Sequence, residues 1–446
     1  MQHILDRTTP GHPTRKITQP WVRRLGLSGD EPRVAIIHYW LVGMRGGEKV
    51  LESLLRMFPQ ADIFTHAYDP SKVSDLINSK TVHLTSVGRK PFATRLYQNY
   101  LPLMPRALEE LDLTDYDLVL SSESGPAKGV IPAPDALHLC YTHSPMRYLW
   151  DQYLVYRRDA GAVKRAVMPR LIHNLRQWDV TSAARVDCFV ANSTHVEARI
   201  NKYWRRDARV VHPPVAVEDF DPVEAKDRGG FYLWLGELAS YKRPDVAIEA
   251  FNKLNKPLFI IGGPDKTAKA LSRNANDNIR FLGKLPFPKM KAYLAACKAL
   301  VFPGEEDFGL VPVEAMASGR PVIAYGRGGA LDTVVSRAVR FARTRRAAIL
   351  ATLAAAGVTN ALTSNQYATS FIVADAFKAR YDRLGIPRKV LSRSLEDYGT
   401  MFETVVPWTP SAVFMIATLG VPYAAYAPWQ LLTLVNLVVA PTLAVL

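Results

Sequence analysis

Cysteine is scarce, with three in 446 residues, Cys140, Cys188 and Cys297. Three thiols so far apart exclude a disulfide framework or a zinc box, and make a reducing compartment the default for the segments that hold them. Charge is missing in two stretches: no Asp, Glu, Lys, Arg or His occurs from Thr404 to Leu446, and none from Ala347 to Ala374. A membrane crossing takes about 20 mostly apolar residues, so Ser411–Leu446 has room for one transmembrane helix or a tight pair. Acidic residues are outnumbered, 41 against 56 Lys and Arg, for a net charge of +15. That balance suits nucleic acid, an anionic membrane surface or phosphate-bearing substrates. Zinc-finger spacing, an RNP-like aromatic phrase and dense basic–aromatic interleaving are all missing, so nucleic acid is not an expected partner. Met1–Pro32 is polar and broken by proline, without the apolar middle of a targeting peptide, and is expected to be a flexible N-terminal arm, 1–32.

What is present is an alternation of short apolar runs and helical segments. Arg33–Tyr39 (RVAIIHY) reads as a strand, followed by a glycine turn and the helix-like EKVLESLLRMF. The strand pattern returns at Tyr116–Ser124, Ala136–His143, Val186–Thr194 and Ala208–Val215, which predicts a mostly parallel sheet covered on both faces over 33–215. A charged, glycine-containing linker, Glu218–Gly230, leads to a second α/β unit of the same kind over 216–335. Two such domains facing a cleft would bind a ligand at the carboxyl ends of their strands. The second unit lacks the strand and closing helices that should complete it. It gives way near Ser336 to five arginines, Arg337, Arg340, Arg343, Arg345 and Arg346, ahead of an apolar run. That flank has the bias of the cytoplasmic side of an inserting segment, though a soluble amphipathic helix over 337–356 fits it too.

Four clusters carry chemistry. Gly46 and Gly47, in GMRGGE, let backbone approach an anion near a helix start, but the phrase lacks the lysine and hydroxyl of a P-loop, and a structural turn explains it equally. His143, at a strand end and followed by Arg147, can bond a hydroxyl or phosphate, although a lone histidine is more often a local hydrogen-bonding residue. Lys242 and Arg243 open a helix, where cations oppose the dipole unless an anion lies between them. Solvated surface charge is the alternative. Glu306 and Glu314 stand eight apart around a glycine turn, one on the loop and one in the helix, where both can accept from sugar or ribose hydroxyls.

Three phrases, HYWLVGMRGGEKVLE, GELASYKRPDVAIEAFN and EDFGLVPVEAMASGRPVIAYGRGGALDTV, resemble blocks of the family 4 retaining glycosyltransferases in order and spacing over 33–335. The resemblance implies two Rossmann-like domains of glycosyltransferase B type. It also implies transfer of a hexose, with retention, from a nucleotide diphosphate sugar to a glycan or lipid-linked acceptor, as in polysaccharide biosynthesis. The nucleotide sugar is a donor substrate; no cofactor or metal is implied. Residue by residue, it implies that Gly46 and Gly47 lie against the diphosphate and acceptor, and that His143 bonds the transferred sugar. Lys242 would neutralise the leaving diphosphate with help from Arg243 or Arg147, Glu306 would hold sugar hydroxyls, and Glu314 would hold the ribose. Gly328 and Gly329 would set amides near the diphosphate. One departure is Glu237, where many relatives carry an arginine.

The C-terminal part, about 347–446, with its LSRSLED and VVPW phrases, resembles the end of a sodium/proton antiporter. A quarter of such a transporter cannot build an inverted-repeat site, so transport is not expected. The expected chain is therefore an N-terminal arm, two Rossmann-like domains with the second truncated, and a helical membrane-like tail over 336–446 at the cytoplasmic face of the inner membrane. A fusion that tethers the enzyme, a chimeric gene model and a decayed gene are the three origins open for the join. The alternative function is an antiporter-derived membrane protein with a vestigial glycosyltransferase head.

Overall fold

The computed structural model describes residues 32–263, 265–335, 344–363 and 365–445. The expected arm falls outside them save for Pro32, as do Arg337, Arg340 and Arg343. The chain divides into two compact units, Met1–Pro214 and Val215–Leu446.

The first unit holds seven strands: β1 (Val34–His38), β2 (Asp62–Thr65), β3 (Val82–Leu84), β4 (Leu118–Glu123), β5 (Leu137–Thr142), β6 (Cys188–Ala191) and β7 (Ala208–Val210). They form one sheet in the order β3-β2-β1-β4-β5-β6-β7, and every neighbouring pair is parallel. Helices of eight residues or more are α1 (Gly46–Met57), α2 (Ala162–Ala183) and α3 (Thr194–Trp204). Val50, Leu51 and Leu55 fall on one face of α1 and are buried. Leu51 and Leu55 join Val34, Ile36, Ile63, Leu118 and Leu120 in one core, while Ala35, Ile37, Val119 and Val130 pack on the opposite side. Burial on both faces is why these strands read as continuous apolar runs.

The second unit has a five-stranded parallel sheet built from β8 (Tyr232–Leu235), β9 (Leu258–Ile261), β10 (Ile279–Gly283), β11 (Leu300–Phe302) and β12 (Val322–Ala324). Its order is β10-β9-β8-β11-β12. The helices here are α4 (Pro244–Leu254), α5 (Asp265–Ser272), α6 (Phe287–Ala296) and α7 (Leu310–Ala317). Ile248 and Phe251 of α4 cover one face with Trp234, Leu258 and Ile260. Leu294 of α6 and Ala315 of α7 cover the other with Leu233, Leu300 and Phe302.

The tail of the second unit is helical: α8 (Arg345–Thr363), α9 (Gln366–Arg383), α10 (Arg388–Leu395), α11 (Pro410–Leu419) and α12 (Leu431–Val445). Ala348, Ala356, Val373, Phe377, Tyr381 and Leu391 make its core, and Ala440 and Ala444 of α12 pack on Leu353 of α8. The buried Tyr381 hydroxyl donates to Thr352 Oγ1 at 3.0 Å.

The uncharged stretch does not form the straight span its composition suggests. Among the described residues no single helix is long and apolar enough to cross a membrane, and α11 with Tyr423–Trp429 forms a pair bent by 92°. The chain breaks there because Gly420 caps α11 in the left-handed region at φ 66° and Pro422 cannot continue a helix. At 1.5 Å per residue α12 is about 22 Å long, short of a hydrocarbon core of about 30 Å.

Candidate functional site

In open parallel sheets a ligand binds beyond the carboxyl ends of the strands, where the strand order reverses. Each sheet has one such point, between β1 and β4 in the first and between β8 and β11 in the second. The singled-out residues gather at both.

In the first sheet His143 follows β5, the neighbour of β4. Its Nε2 lies 2.9 Å from Ser122 Oγ, and the same hydroxyl lies 3.1 Å from Nδ1 of His38 at the end of β1. His38 Nε2 faces Glu48 Oε1 at 3.7 Å, and Glu48 Oε2 accepts the Arg45 amide at 2.8 Å. A buried polar chain thus runs His143, Ser122, His38, Glu48, with His38 and Glu48 0% and 2% exposed. Burial pushes the Glu48 carboxyl up, but the adjacent His38 imidazole and backbone amides outweigh this and hold it below its usual value. Tyr141 and Tyr39 meet the His143 ring edge-on, at centroid distances of 5.2 and 6.4 Å.

The loop around His143 is fixed from behind. The His143 amide donates to Glu123 O at 2.8 Å, and Glu123 Oε2 accepts the Ala127 and Lys128 amides at 2.9 and 2.8 Å. Lys128 Nζ, fully buried, bonds Glu123 Oε1 at 3.3 Å and Asp179 Oδ1. Asp179 Oδ2 accepts from the indoles of Trp150 at 2.8 Å and Trp204 at 2.7 Å. Burial lowers the affinity of Lys128 for its proton, but the two carboxylates reverse this and keep the ammonium charged. Arg147 lies in the same loop; its carbonyl accepts the Trp150 and Gln152 amides at 3.2 and 3.0 Å. Arg199 of α3 steadies that loop, donating to Ser144 Oγ at 2.7 Å, Pro145 O at 3.0 Å and Asp151 Oδ1 at 2.6 Å.

Gly46 and Gly47 are the first residues of α1. A Cβ on Gly47 would sit 2.2 Å from the Tyr39 hydroxyl, so the buried Tyr39 ring accounts for the missing side chain. Gly47→Ala is expected to destabilise the first unit by about 1–3 kcal/mol through overpacking. Tyr39→Phe should recover part of that loss in a double-mutant cycle followed by urea unfolding.

In the second sheet Lys242 ends a 3₁₀ turn, Ser240–Lys242, shortly after β8, and Glu306 lies on the loop after β11. Their side chains pair at 2.8 Å and are 17% and 15% exposed. The two loops meet backbone to backbone at Gly304, where a Cβ would lie 2.6 Å from Lys242 Cα. Burial disfavours the Lys242 charge, but Glu306 more than offsets it and the pKa is raised. Glu237 also acts on Lys242 electrostatically. Arg243 turns elsewhere: at φ 53° it caps α4 and its guanidinium pairs with Asp245 at 3.0 Å. Lys242 and Arg243 are thus each paired with a different carboxylate.

Gly328, at φ 64°, and Gly329 lie against the Glu306 loop. A Cβ on Gly328 would come 2.4 Å from Glu306 O, and one on Gly329 2.3 Å from Phe308 Cα. The Gly329 amide donates to Glu306 O at 2.7 Å, which ties this glycine turn to the carboxylate loop. Glu314 sits in α7, 7% exposed. The sequence reading missed His38, Ser122 and Glu48 as partners of His143, and the Glu123, Lys128 and Asp179 cluster. Among the described residues no three His, Cys, Asp or Glu side chains gather as a metal-binding group.

The family models divide the chain. "Glycosyltransferase Family 4" matches residues 44–219, "Glycosyl transferases group 1" matches 217–360, and the "Na+/H+ antiporter family" matches 324–446. The glycosyltransferase match runs on to 360, past the boundary at 335 read from the sequence, and overlaps the antiporter match. The chain is similar to the Na(+)/H(+) antiporter NhaC of Bacillus subtilis, 33% identical over 114 residues, 24% of this chain and 25% of that protein. It is also similar to the alpha-1,3/1,6-mannosyltransferase alg-2 of Neurospora crassa, 27% identical over 211 residues, 35% of this chain and 45% of that protein. The chain therefore spans about a quarter of the antiporter and under half of the mannosyltransferase. Among solved structures, Anabaena Alr3699/HepE in complex with UDP and glucose aligns with a TM-score of 0.49 and 15% identity, over 83% of this chain and all of that one. Taken together, the N-terminal part of the chain matches the family 4 glycosyltransferases and the C-terminal part matches the Na+/H+ antiporter family.

Proposed function

We infer that residues 33–335 act as a retaining glycosyltransferase that moves a hexose from a nucleotide diphosphate sugar to a glycan or lipid-linked acceptor. The observation that carries this is the Lys242–Glu306 pair at the strand-order reversal of the second sheet, within a chain matched by glycosyltransferase models. In this reading the donor lies beyond the carboxyl ends of the strands of the second sheet. Lys242 meets the charge that grows on the leaving diphosphate, and Glu306, held in place by Lys242, accepts from sugar hydroxyls with its second oxygen. Glu314 takes the ribose, His143 a hydroxyl of the transferred sugar, and Gly46, Gly47, Gly328 and Gly329 allow close backbone approach. Arg147 and Arg243 supply positive field. The anomeric carbon–oxygen bond to phosphate breaks with its electron pair on the diphosphate, and the acceptor oxygen bonds that carbon on the same face. The acceptor's proton passes to a diphosphate oxygen. Proton NMR of the product tests this: an anomeric coupling matching the donor supports retention, and an inverted anomer contradicts it.

In the same reading the tail holds the enzyme at a membrane surface. Phe414, Trp429, Leu432 and Val438 are 65%, 78%, 74% and 67% exposed in a stretch without charge, a composition that lies in an interface. The full-length protein is expected to float with vesicles of anionic phospholipid in a density gradient, and Leu432→Asp with Val438→Asp to shift it to the soluble fractions. Unchanged flotation of the double variant contradicts docking through α12.

A further inference from the structure

Helix α1 starts beyond the carboxyl end of β1, and it starts without a cap. Its N-cap residue, Arg45, has extended backbone, but a guanidinium carries donors only and cannot accept from first-turn amides as Ser, Thr, Asp or Asn would. Glu48 reaches back to the Arg45 amide at 2.8 Å, one position outside the helix. Among the described residues the Gly46 and Gly47 amides have no hydrogen-bond partner. They stand at the positive end of the dipole of a 12-residue helix.

The second observation is Tyr39. It is 8% exposed, its hydroxyl lies against Gly47, and among the described residues that hydroxyl makes no hydrogen bond, although a buried phenol normally finds a partner. The ring is held in this direction. It stacks on His38 at 4.2 Å and meets Trp40 edge-on at 4.8 Å. Trp40 in turn packs on Tyr97 at 4.7 Å and over Gly125, where a Cβ would come within 2.8 Å of the indole. Burial, then the Glu48 carboxylate, raise the Tyr39 pKa well above its ordinary value against the opposing charge of Arg45. The hydroxyl therefore keeps its proton and can donate it. Glu48 and Arg45 act here with opposite signs, so the converging donors decide what the place attracts.

We propose that the Tyr39 hydroxyl and the Gly46 and Gly47 amides together bind a phosphoryl oxygen in the first unit, with Tyr39 as the side chain that recognises it. Such an oxygen has lone pairs for all three donors, and its charge suits a helix start. The choice of phosphoryl among anions rests on the glycosyltransferase reading, in which the sugar donor and a lipid-linked acceptor both carry phosphate. The donor set itself stands without that reading. Tyr39→Phe removes the hydroxyl and keeps the ring packing on His38 and Trp40, so it isolates the hydrogen bond from the fold.

Amide NMR of the full-length protein labelled with ¹⁵N-glycine reads the site, with inorganic phosphate, glycerol 3-phosphate, UDP and GDP as probes. The Gly46 and Gly47 signals are expected to move with a phosphate-bearing probe. Tyr39→Phe is expected to weaken that probe about 10- to 100-fold, the effect of losing one hydrogen bond to a charged group. Arg45→Asp, which supplies the missing capping carboxylate, is expected to abolish the response with the other glycine signals in place. A stronger response to UDP or GDP assigns the phosphoryl group to the sugar donor, and a response to inorganic phosphate and glycerol 3-phosphate alone assigns it to the acceptor. Signals unmoved by all four probes overturn the proposal, as does an affinity unchanged in Tyr39→Phe or a response that survives Arg45→Asp. A phosphate response without turnover of any nucleotide sugar removes the glycosyltransferase reading and leaves the site. Turnover with unmoved glycine signals does the reverse.

Discussion

Lys242→Ala is expected to lower sugar transfer by about 100- to 1,000-fold, the range for removing one preorganised group that stabilises transition-state charge. The ammonium is 17% exposed and kept charged by Glu306, so it needs no reorganisation when charge appears on the diphosphate. The loss should fall on kcat and on kcat/KM together, because the interaction strengthens as the bond breaks. Glu306→Ala acts at two levels: it removes a sugar contact and leaves a mostly buried lysine without its carboxylate. Its loss should therefore include weaker donor binding as well as slower turnover. Steady-state kinetics of both variants against one donor separates the two patterns. Equal activity in wild type and Lys242→Ala contradicts the assignment.

Lys128→Met should destabilise the first unit by about 3–5 kcal/mol, the range for removing one partner from a buried charge network. Glu123 and Asp179 would remain with no cation, although methionine fills most of the volume. Glu123 already shows the cost of its position, since burial raises its pKa even with Lys128 beside it. In the variant the Glu123 carboxyl, already raised by burial, keeps a folded-state pKa above its unfolded one, so the folded state binds more protons and loses stability as pH rises. Urea unfolding should show the gap to wild type widening from acid to neutral pH. Because Glu123 holds both the β4 end and the His143 amide, the variant should lose activity as well. A Lys128→Met protein as stable as wild type at pH 7 would show that the network carries no such load.

Much of the two sheets was legible because parallel strands buried on both faces leave unbroken apolar runs, such as VAII in β1 and LVL in β4. β2 and β3 went unread. DIFT and VHL are four and three residues long at one edge of the sheet, too short for a periodic signal. Among site residues, His143, Lys242 and Glu306 stood out because each follows an apolar strand. Their partners did not. His38 and Ser122 look like polar ends of strands, and they meet His143 only because β1, β4 and β5 are neighbours, a pairing that no local window contains. Polar residues at the carboxyl ends of two otherwise apolar strands were the available signal. Lys128 and Asp179 are 51 apart, farther than any local window reaches. The tail was legible only in part: composition counts apolar residues but not the Gly420 and Pro422 break that divides them.

The most direct test of the central claim is nucleoside diphosphate release by the full-length protein in detergent, across a panel of UDP- and GDP-sugars, with Lys242→Ala and Glu306→Ala in parallel. The account predicts turnover with one donor, lost in both variants. Folded protein that neither binds nor turns over any donor would contradict it and leave the paired lysine and glutamate as a record of ancestry.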